Sequence, residues 1–486
     1  MHRILFNAPV QSLCLRRFTQ GMHPQLTFAA NQLCRQKPKH LFDKIMKQIP
    51  NKSFWSLWNI SFGFFGVQIA YALQSANISS IFTALGADPH SLSFFWILPP
   101  LMGMIVQPII GTLSDKTWTR YGRRIPYLFV GAVLAVAVMC LLPNAGSLGL
   151  TTQVILWGLS GTMIFGLFSL MFLDTSINIA MQPFKMMVGD MVNEEQKAKA
   201  YSIQSFLCNA GSLVGFLFPY VLTYLGVKNT APAGMVSDSV IFSFYAGSAI
   251  LILCVIYTTA KVKEYPPEEY AEYHGIEKAE AETQKSESFI KLLAKAPSAF
   301  WTVGLVQFFC WAAFLYMWTY THGAITENVN WTITGEDTAS DIAKNWVGVL
   351  FAVQAVGSVI WAMVIPRFKS LKASYIISLL LGAAGFISTL FIHDQYVLFI
   401  PFLLVGCAWA AMLALPFTLL TNALTGGNMG AYLGLFNCTI CLPQIAAALC
   451  GGIILHLVGS SQAMMLVVAG VLLIAGSVCV LLVKTK

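Results

Sequence analysis

The sequence predicts an all-α integral membrane protein of twelve spanning helices in two six-helix bundles, with both termini cytoplasmic. Three observations carry that expectation. The chain is 57% hydrophobic and only 10% charged, with a mean hydropathy of +0.68, a composition that no soluble domain keeps in water. Apolar windows of about 20 residues, the length a helix needs to cross the hydrocarbon, recur between short polar breaks. The longest polar stretch between windows, residues 261–297, divides them six and six, a split that suits two bundles rocking about a cleft at mid-membrane.

The windows fall at 54–77, 92–113, 125–142, 154–180, 202–225, 240–260, 299–321, 346–366, 373–392, 397–420, 431–457 and 463–483. They are too long for barrel strands and lack period-two alternation, and only helices or closed barrels satisfy their own backbone inside lipid. Basic residues set the orientation. Lys116, Arg120, Arg123 and Arg124 follow the second window, Lys185, Lys197 and Lys199 the fourth, and Arg367, Lys369 and Lys372 the eighth. Lys228 and Lys344 on the other side face Asp88, Glu327, Glu336, Asp337, Asp341 and Asp394. The positive-inside rule then places both termini in the cytoplasm. The formal net charge of +8 reflects topology and calls for no nucleic acid.

Four regions follow. Residues 1–45 carry seven Arg or Lys and no acid before Asp43. A transit peptide, a lipid-surface tether and a disordered or miscalled extension ahead of Met46 all fit that composition. Residues 46–260 form the first bundle, 261–297 a solvated cytoplasmic linker with some helix, and 298–486 the second bundle. Of the eleven cysteines, nine lie scattered through apolar windows and Cys14 and Cys34 in the tail, and they give no disulfide framework; Cys438 and Cys441, a C-x-x-C within a membrane helix, read as small packing residues. With no metal-ligand spacing, phosphate loop or nucleophile motif, neither cofactor nor catalysis is expected.

Between the second and third windows stands "GTLSDKTWTRYGRRIPY", Gly111 to Tyr127. Gly111 lets helices approach closely, Asp115 sits just past the helix end, and Arg120, Arg123 and Arg124 offer cations for carboxylates or helix C-terminal carbonyls. Composition alone leaves open whether this is a conformational latch or simply positive-inside charge. The spacing resembles the G-x-L-x-D-(R/K)-x-G-(R/K)-(R/K) signature of the major facilitator superfamily. Its lengthening to D-K-x-x-x-R-x-G-R-R, followed by I-P-Y, is similar to the sucrose and α-glucoside branch, the glycoside-pentoside-hexuronide type of cation symporter. "LDTSINIAMQPFKMMVGDM", "QFFCWAAFLYMWTYTHGA", "GCAWAAMLALPFTLLTNAL" and "MGAYLGLFN" extend the resemblance from about residue 52 to the C-terminus. It implies the major facilitator fold and secondary transport of a disaccharide or similar α-glucoside. Three departures weaken any transfer of cargo. Lys185 replaces the usual arginine, Gln182 stands where bacterial relatives carry glutamate, and the fifth window lacks the arginine of plant relatives.

Within the fourth window Asp174, Asn178, Gln182 and Lys185 are spaced i, i+4, i+8 and i+11. At about 100° per residue they share an arc of roughly 80°, so the stripe must look away from lipid toward an aqueous passage. An aspartate at mid-bilayer costs about 2.5–3.5 kcal/mol on insertion scales, and its default reading is functional. Asp174 is therefore assigned proton coupling, with structural pairing to another helix as the competing reading. Lys185 reads as a snorkelling interfacial lysine. Asp190, about 160° round the helix from Asp174, reads either as facing the gate with Arg123 or Arg124 or as a plain solvated acid.

Sugar-binding candidates are polar or aromatic residues on inward faces: Gln74 and Asn77 in the first window, Asn178 and Gln182 in the fourth, Gln307 and Trp311 in the seventh, Gln354 in the eighth and Asn437 in the eleventh. Amides donate and accept together, which suits hydroxyls, and an indole face suits the C–H face of a sugar ring. Gln74 and Asn77 read equally as helix–helix bonds, and Gln354 and Asn437 more readily so. Trp318 and Tyr320 are expected at the membrane interface. Gly211 and Gly215 in the fifth window form a small-xxx-small pair for close packing. The resulting expectation is a proton-coupled sugar symporter working by alternating access, monomeric, in a plasma or inner membrane, its partners being a sugar, a proton and lipid. Sodium coupling, another polar solute, or a sugar receptor that does not transport remain alternatives; a channel is disfavoured because no repeated filter or charged ring stands out.

Overall fold

A computed structural model describes residues 49–150, 153–156, 159–274, 296–333, 337–423 and 435–483. The expected tail at 1–45, most of the linker, and the start of the eleventh window lie outside those residues. Two compact units are distinguished. One comprises Met1–Pro50 with Tyr265–Gln284, and its described part carries a short helix, Pro267–His274, whose Tyr273 packs against Tyr265 at 4.9 Å between ring centroids.

The other unit, Asn51–Glu264 with Lys285–Lys486, holds the membrane helices. In chain order these are α1 (Phe54–Ala84), α2 (Pro89–Phe95), α3 (Leu98–Lys116), α4 (Ile125–Leu141), α5 (Gly161–Met191), α6 (Glu194–Tyr224) and α7 (Asp238–Lys261). With Pro267–His274 counted as α8, α9 (Ser298–Asn328), α10 (Ala339–Val364), α11 (Leu371–Ser388), α12 (Phe399–Ala423), α13 (Cys438–Leu457) and α14 (Gln462–Val480) follow. Starts are marked by side chains that satisfy free backbone N–H groups. Ser53 accepts from Ser56, Ser160 from Met163 and Asn193 from Gln196, while Thr338 and Asp341 form a reciprocal capping box.

Eleven helical segments among the described residues are long and apolar enough to cross a bilayer, which makes this a multi-pass integral membrane protein. The first helix, α1, has the length at 31 residues but is not among the eleven. It is buried along most of its course, so it needs little lipid-facing apolar surface, and Ser, Asn and Gln fill its interior faces. Large apolar side chains on the outside, such as Phe172 (55% exposed) and Leu253 (64%), are what a hydrocarbon solvent tolerates and water does not.

Two windows differ in kind from expectation. The apolar run at 154–160 is not the start of the fourth helix: Val154–Leu156 pairs antiparallel with Leu159–Ser160 as a short hairpin, β1 and β2. The helix begins at Gly161 and runs through Pro183 to Met191, so the polar stripe and Asp190 share one rigid rod. The second window is broken into α2 and α3, with Pro99 and Pro100 in the first turn of α3, where a missing N–H costs nothing.

In the first half α1 packs against α5, α6 and α7, α4 against α5 and α7, and α3 against α5; in the second, α9 packs on α13 and α14, α11 on α12 and α14, and α10 on α12. The Gly211–Gly215 pair does bring backbones together: a Cβ on Gly211 would collide with the Phe65 carbonyl oxygen, and one on Gly215 would lie 2.8 Å from that of Ile69. Gly211→Val is therefore expected to force α1 from α6 and cost about 2 kcal/mol or more, read as a lower unfolding temperature in detergent. An unchanged temperature would show that the helices can part freely.

Trp318 and Tyr320, expected at the interface, are instead internal at 9% and 0% exposure. Trp318 stacks on Trp96 at 6.0 Å and meets Trp409 edge-on at 5.8 Å. Their amphipathic rings are used in contacts between helices, where periodicity alone gives no depth.

Candidate functional site

The polar stripe of α5 meets α1 on one side and α3 on the other. Asp174, 2% exposed, accepts a 2.6 Å hydrogen bond at Oδ1 from Gln74 Nε2 of α1. Its Oδ2 and the Gln74 Oε1 have no hydrogen-bond partner. One turn on, Asn178 Nδ2 donates to the Asp174 carbonyl, and Asn178 Oδ1 accepts from Gln107 Nε2 of α3 at 2.7 Å. Gly103 and Gly111 of α3 face this stripe, each leaving Cβ space 3.7 Å from Asn178 Oδ1 and Gln182 Nε2 respectively.

The carboxylate of Asp174 does not itself face water in this conformation, against the expectation of an open aqueous passage. Accessible surface lies beside it. Tyr71, one turn before Gln74 on α1, is 36% exposed although Asp174, Cys208 of α6 and Cys441 of α13 all lie within electrostatic reach. Lys185 is likewise exposed and has the same two cysteines as neighbours. Tyr71 and Lys185 thus share neighbours on α6 and α13, one helix from each half of the chain. Neither Tyr71 nor Gln107 was singled out by sequence. Tyr71 shares its face with Gln74 at i+3, a signal that an aromatic in an apolar window hides.

The other candidates sit apart. Asn77 donates to Leu73 of its own helix. Gln307 has no exposed surface and its amide approaches the Met412 carbonyl at 3.5 Å, while Trp311, 8% exposed, packs edge-on against Trp409 at 5.8 Å with its indole N–H unpaired. Gln354 is buried with Nε2 unpaired. Asn437, half-buried, immediately precedes α13.

At the basic end, the loop between α3 and α4 closes a charge cluster. Arg124, 1% exposed, donates from Nε to Asp190 at 2.9 Å and from Nη2 to Asp115 at 2.5 Å, and also bonds Ser114 Oγ. Arg123 pairs with Asp190 at 2.7 Å and with Asp115 at 3.7 Å. Arg120 stands outside, donating to Tyr121 and lying 4.7 Å over its ring.

One acid that sequence left in the solvated linker belongs here. Glu264, just past α7, accepts from the backbone N–H groups of Arg123 (3.0 Å), Arg124 (2.8 Å) and Ile125 (2.7 Å), capping α4 with its carboxylate. Gly122 makes room for it: φ is +115°, the left-handed region that glycine adopts freely, and a Cβ there would sit 2.6 Å from the Glu264 carboxyl carbon. Burial pushes the Glu264 carboxyl above the ordinary glutamate value despite the three amide donors. The folded protein then holds this proton more tightly than the unfolded chain, so its contribution to stability falls as pH rises through that window. The unfolding temperature of Glu264→Gln relative to the parent should move in the variant's favour as pH is raised from about 4.3, the ordinary value. Movement the other way would reverse the assigned cause.

The profile described as MFS/sugar transport protein matches residues 60–462. The chain belongs to this family. Members are transporters, not enzymes, and the charge cluster and polar stripe lie inside the matched region. Among curated relatives of this sugar-transport family member, the sucrose transport protein SUT1 of Oryza sativa subsp. japonica is 24% identical over 438 residues, covering 80% of each chain. The general alpha-glucoside permease of Schizosaccharomyces pombe is 26% identical over 293 residues, 56% of this chain and 49% of the permease. The mouse membrane-associated transporter protein is 24% identical, over 45% of this chain and 40% of its own length; the chain thus spans less than half the length of these last two relatives. Solved structures share the fold. The nucleoside transporter NupG has a TM-score of 0.61 at 12% identity, covering 89% of this chain and 100% of its own. The E. coli xylose transporter XylE, in a partially occluded inward open conformation, has 0.57 at 16%, covering 89% and 98%.

Proposed function

We propose that this family member is a proton-coupled symporter of a disaccharide or α-glucoside, working by alternating access between two six-helix bundles with α1 as the twelfth span and both termini cytoplasmic. The observation that carries the reading is the Asp174 carboxylate, buried between α1 and α5 with one oxygen held by Gln74 and the other unpartnered, next to the accessible Tyr71. An acid so placed takes up or releases a proton as its surroundings change, and proton binding biases the equilibrium between states through differential affinity. Asn178, Gln182 and Gln107 supply adjacent amides for sugar hydroxyls. The names of the rice and fission-yeast relatives favour sucrose or an α-glucoside as cargo.

Uptake of radiolabelled sucrose and maltose into vesicles holding the purified protein tests this. Accumulation should follow an imposed proton gradient and vanish when it is collapsed. Accumulation driven by sodium alone would replace the coupling ion, and binding without uptake under any gradient would make the protein a receptor.

A further inference from the structure

The two halves touch through side chains on the face opposite the arginine cluster. There the N-terminus of α10 meets the connection between α6 and α7. Asn229, 5% exposed, donates from Nδ2 to the Asp341 carbonyl at 2.5 Å, while its Oδ1 accepts from Ser239 at 2.8 Å. Lys344 Nζ bonds the Asn229 carbonyl and pairs with Asp341 at 2.8 Å. One turn deeper, Asn345 Nδ2 donates to Thr223 Oγ1 at 2.7 Å. A Cβ on Gly348 would collide with the Phe216 carbonyl oxygen, so the α6 and α10 backbones are in contact. Asp341 and Lys344 also wall a cavity of about 350 Å³ with Ser80 and Thr83 of α1 and His322 of α9.

We infer that Lys344, Asn229 and Asp341 form a clasp that holds this face of the transporter shut, with Lys344 as a positioning residue for the loop. The argument is geometric. Lys344 and Asp341 belong to one helix turn and remain paired whether the halves are together or apart; only their bonds to Asn229 cross between halves. Those crossing bonds exist only in the closed state, so they weight the equilibrium toward closure by their own strength, as any differential interaction does. Lys344 and Asp341 also border the cavity, where parted groups can be resolvated. The arginine cluster is different in kind: Arg123, Arg124, Asp115, Asp190 and Glu264 all belong to the first half.

This rests on the alternating-access reading, but its test needs no cargo. In the full-length protein reconstituted without sugar or gradient, spin labels carried by non-canonical amino acids at positions 224 and 396, both exposed and in different halves at this face, report their separation. Lys344→Met should raise the ratio of separated to closed populations about tenfold, the scale of one charge-assisted hydrogen bond, and Asn229→Ala about fivefold, the scale of a neutral one. Lys344→Arg should stay near the parent. If both variants keep the parent distance distribution while the unfolding temperature falls, the cluster is structural only and the clasp is overturned. Should Lys344→Met fail to fold, Asn229→Ala decides, since it leaves the Lys344–Asp341 pair in place. A protein that transports no sugar would still give either answer.

Discussion

Replacing Asp174 by asparagine is expected to abolish gradient-driven accumulation of sugar and leave only equilibration, with the inside-to-outside ratio falling to about one. Asparagine keeps the size of the side chain and can still accept from Gln74 Nε2, now 2.6 Å from Oδ1, so the helix pair should survive. What is lost is the proton. Removing a carboxylate whose burial costs about 2.5–3.5 kcal/mol on insertion scales should leave stability unchanged or raised, a result opposite to that for a structural ion pair. Two measurements on the same preparation, concentrative uptake and unfolding temperature, check both halves. Undiminished accumulation would remove Asp174 from the coupling step, and a large drop in stability would make it a structural hydrogen-bond acceptor.

Arg124→Ala is expected to have the largest effect on stability, about 3 kcal/mol. Its guanidinium is 1% exposed and serves Asp190, Asp115 and Ser114 together, so truncation leaves acids facing each other without their main cation, the costly case for a buried pair. The figure sits at the low end of the range because the Asp115 side chain is 48% exposed and water screens it. Arg123 still reaches Asp190 and limits the loss. Arg124→Lys should recover part, since a point charge cannot satisfy Asp190 through Nε and Asp115 through Nη2 at once. Thermal unfolding of the three proteins in detergent checks the order parent, Lys, Ala. If Lys equals the parent, the fork geometry is unimportant.

The reading from Gly111 to Tyr127 shows how far a linear pattern goes. Arg123, Arg124 and Asp115 are near neighbours in sequence, and Asp190 lies on the opposite side of α5 from Asp174, so local geometry offered these acids as partners while the fold made the pairs. Glu264 was not legible in the same way. It stands in a polar stretch rich in acids, 140 residues from Arg124, and nothing in the chain separates one buried linker acid from its solvated neighbours. Gly122 carried half of that signal, since its positive φ and missing Cβ make the seat, but a glycine in a tight loop has an ordinary explanation as a turn. Lys185 was legible only as a residue near a helix end, which suggests the lipid interface; that Cys208 of α6 and Cys441 of α13 lie within its electrostatic reach comes from the fold.

The sequence by itself determined that this chain lies in a membrane, roughly where its helices run, and that Asp174, Asn178 and Gln182 share one face, because hydropathy and the 3.6-residue period act locally. Only the tertiary structure decided which helix each face meets: that Gln74 is committed to Asp174, that Gln307 is enclosed, that Trp318 and Tyr320 are internal, and that Asn229 and Lys344 join the halves. The physical reason is that amides, indoles and glycines look the same in sequence whether they line a cleft or seal a helix contact. Lipid supplies no hydrophobic preference between helices, so packing partners are chosen by shape and by hydrogen bonds between residues far apart in the chain.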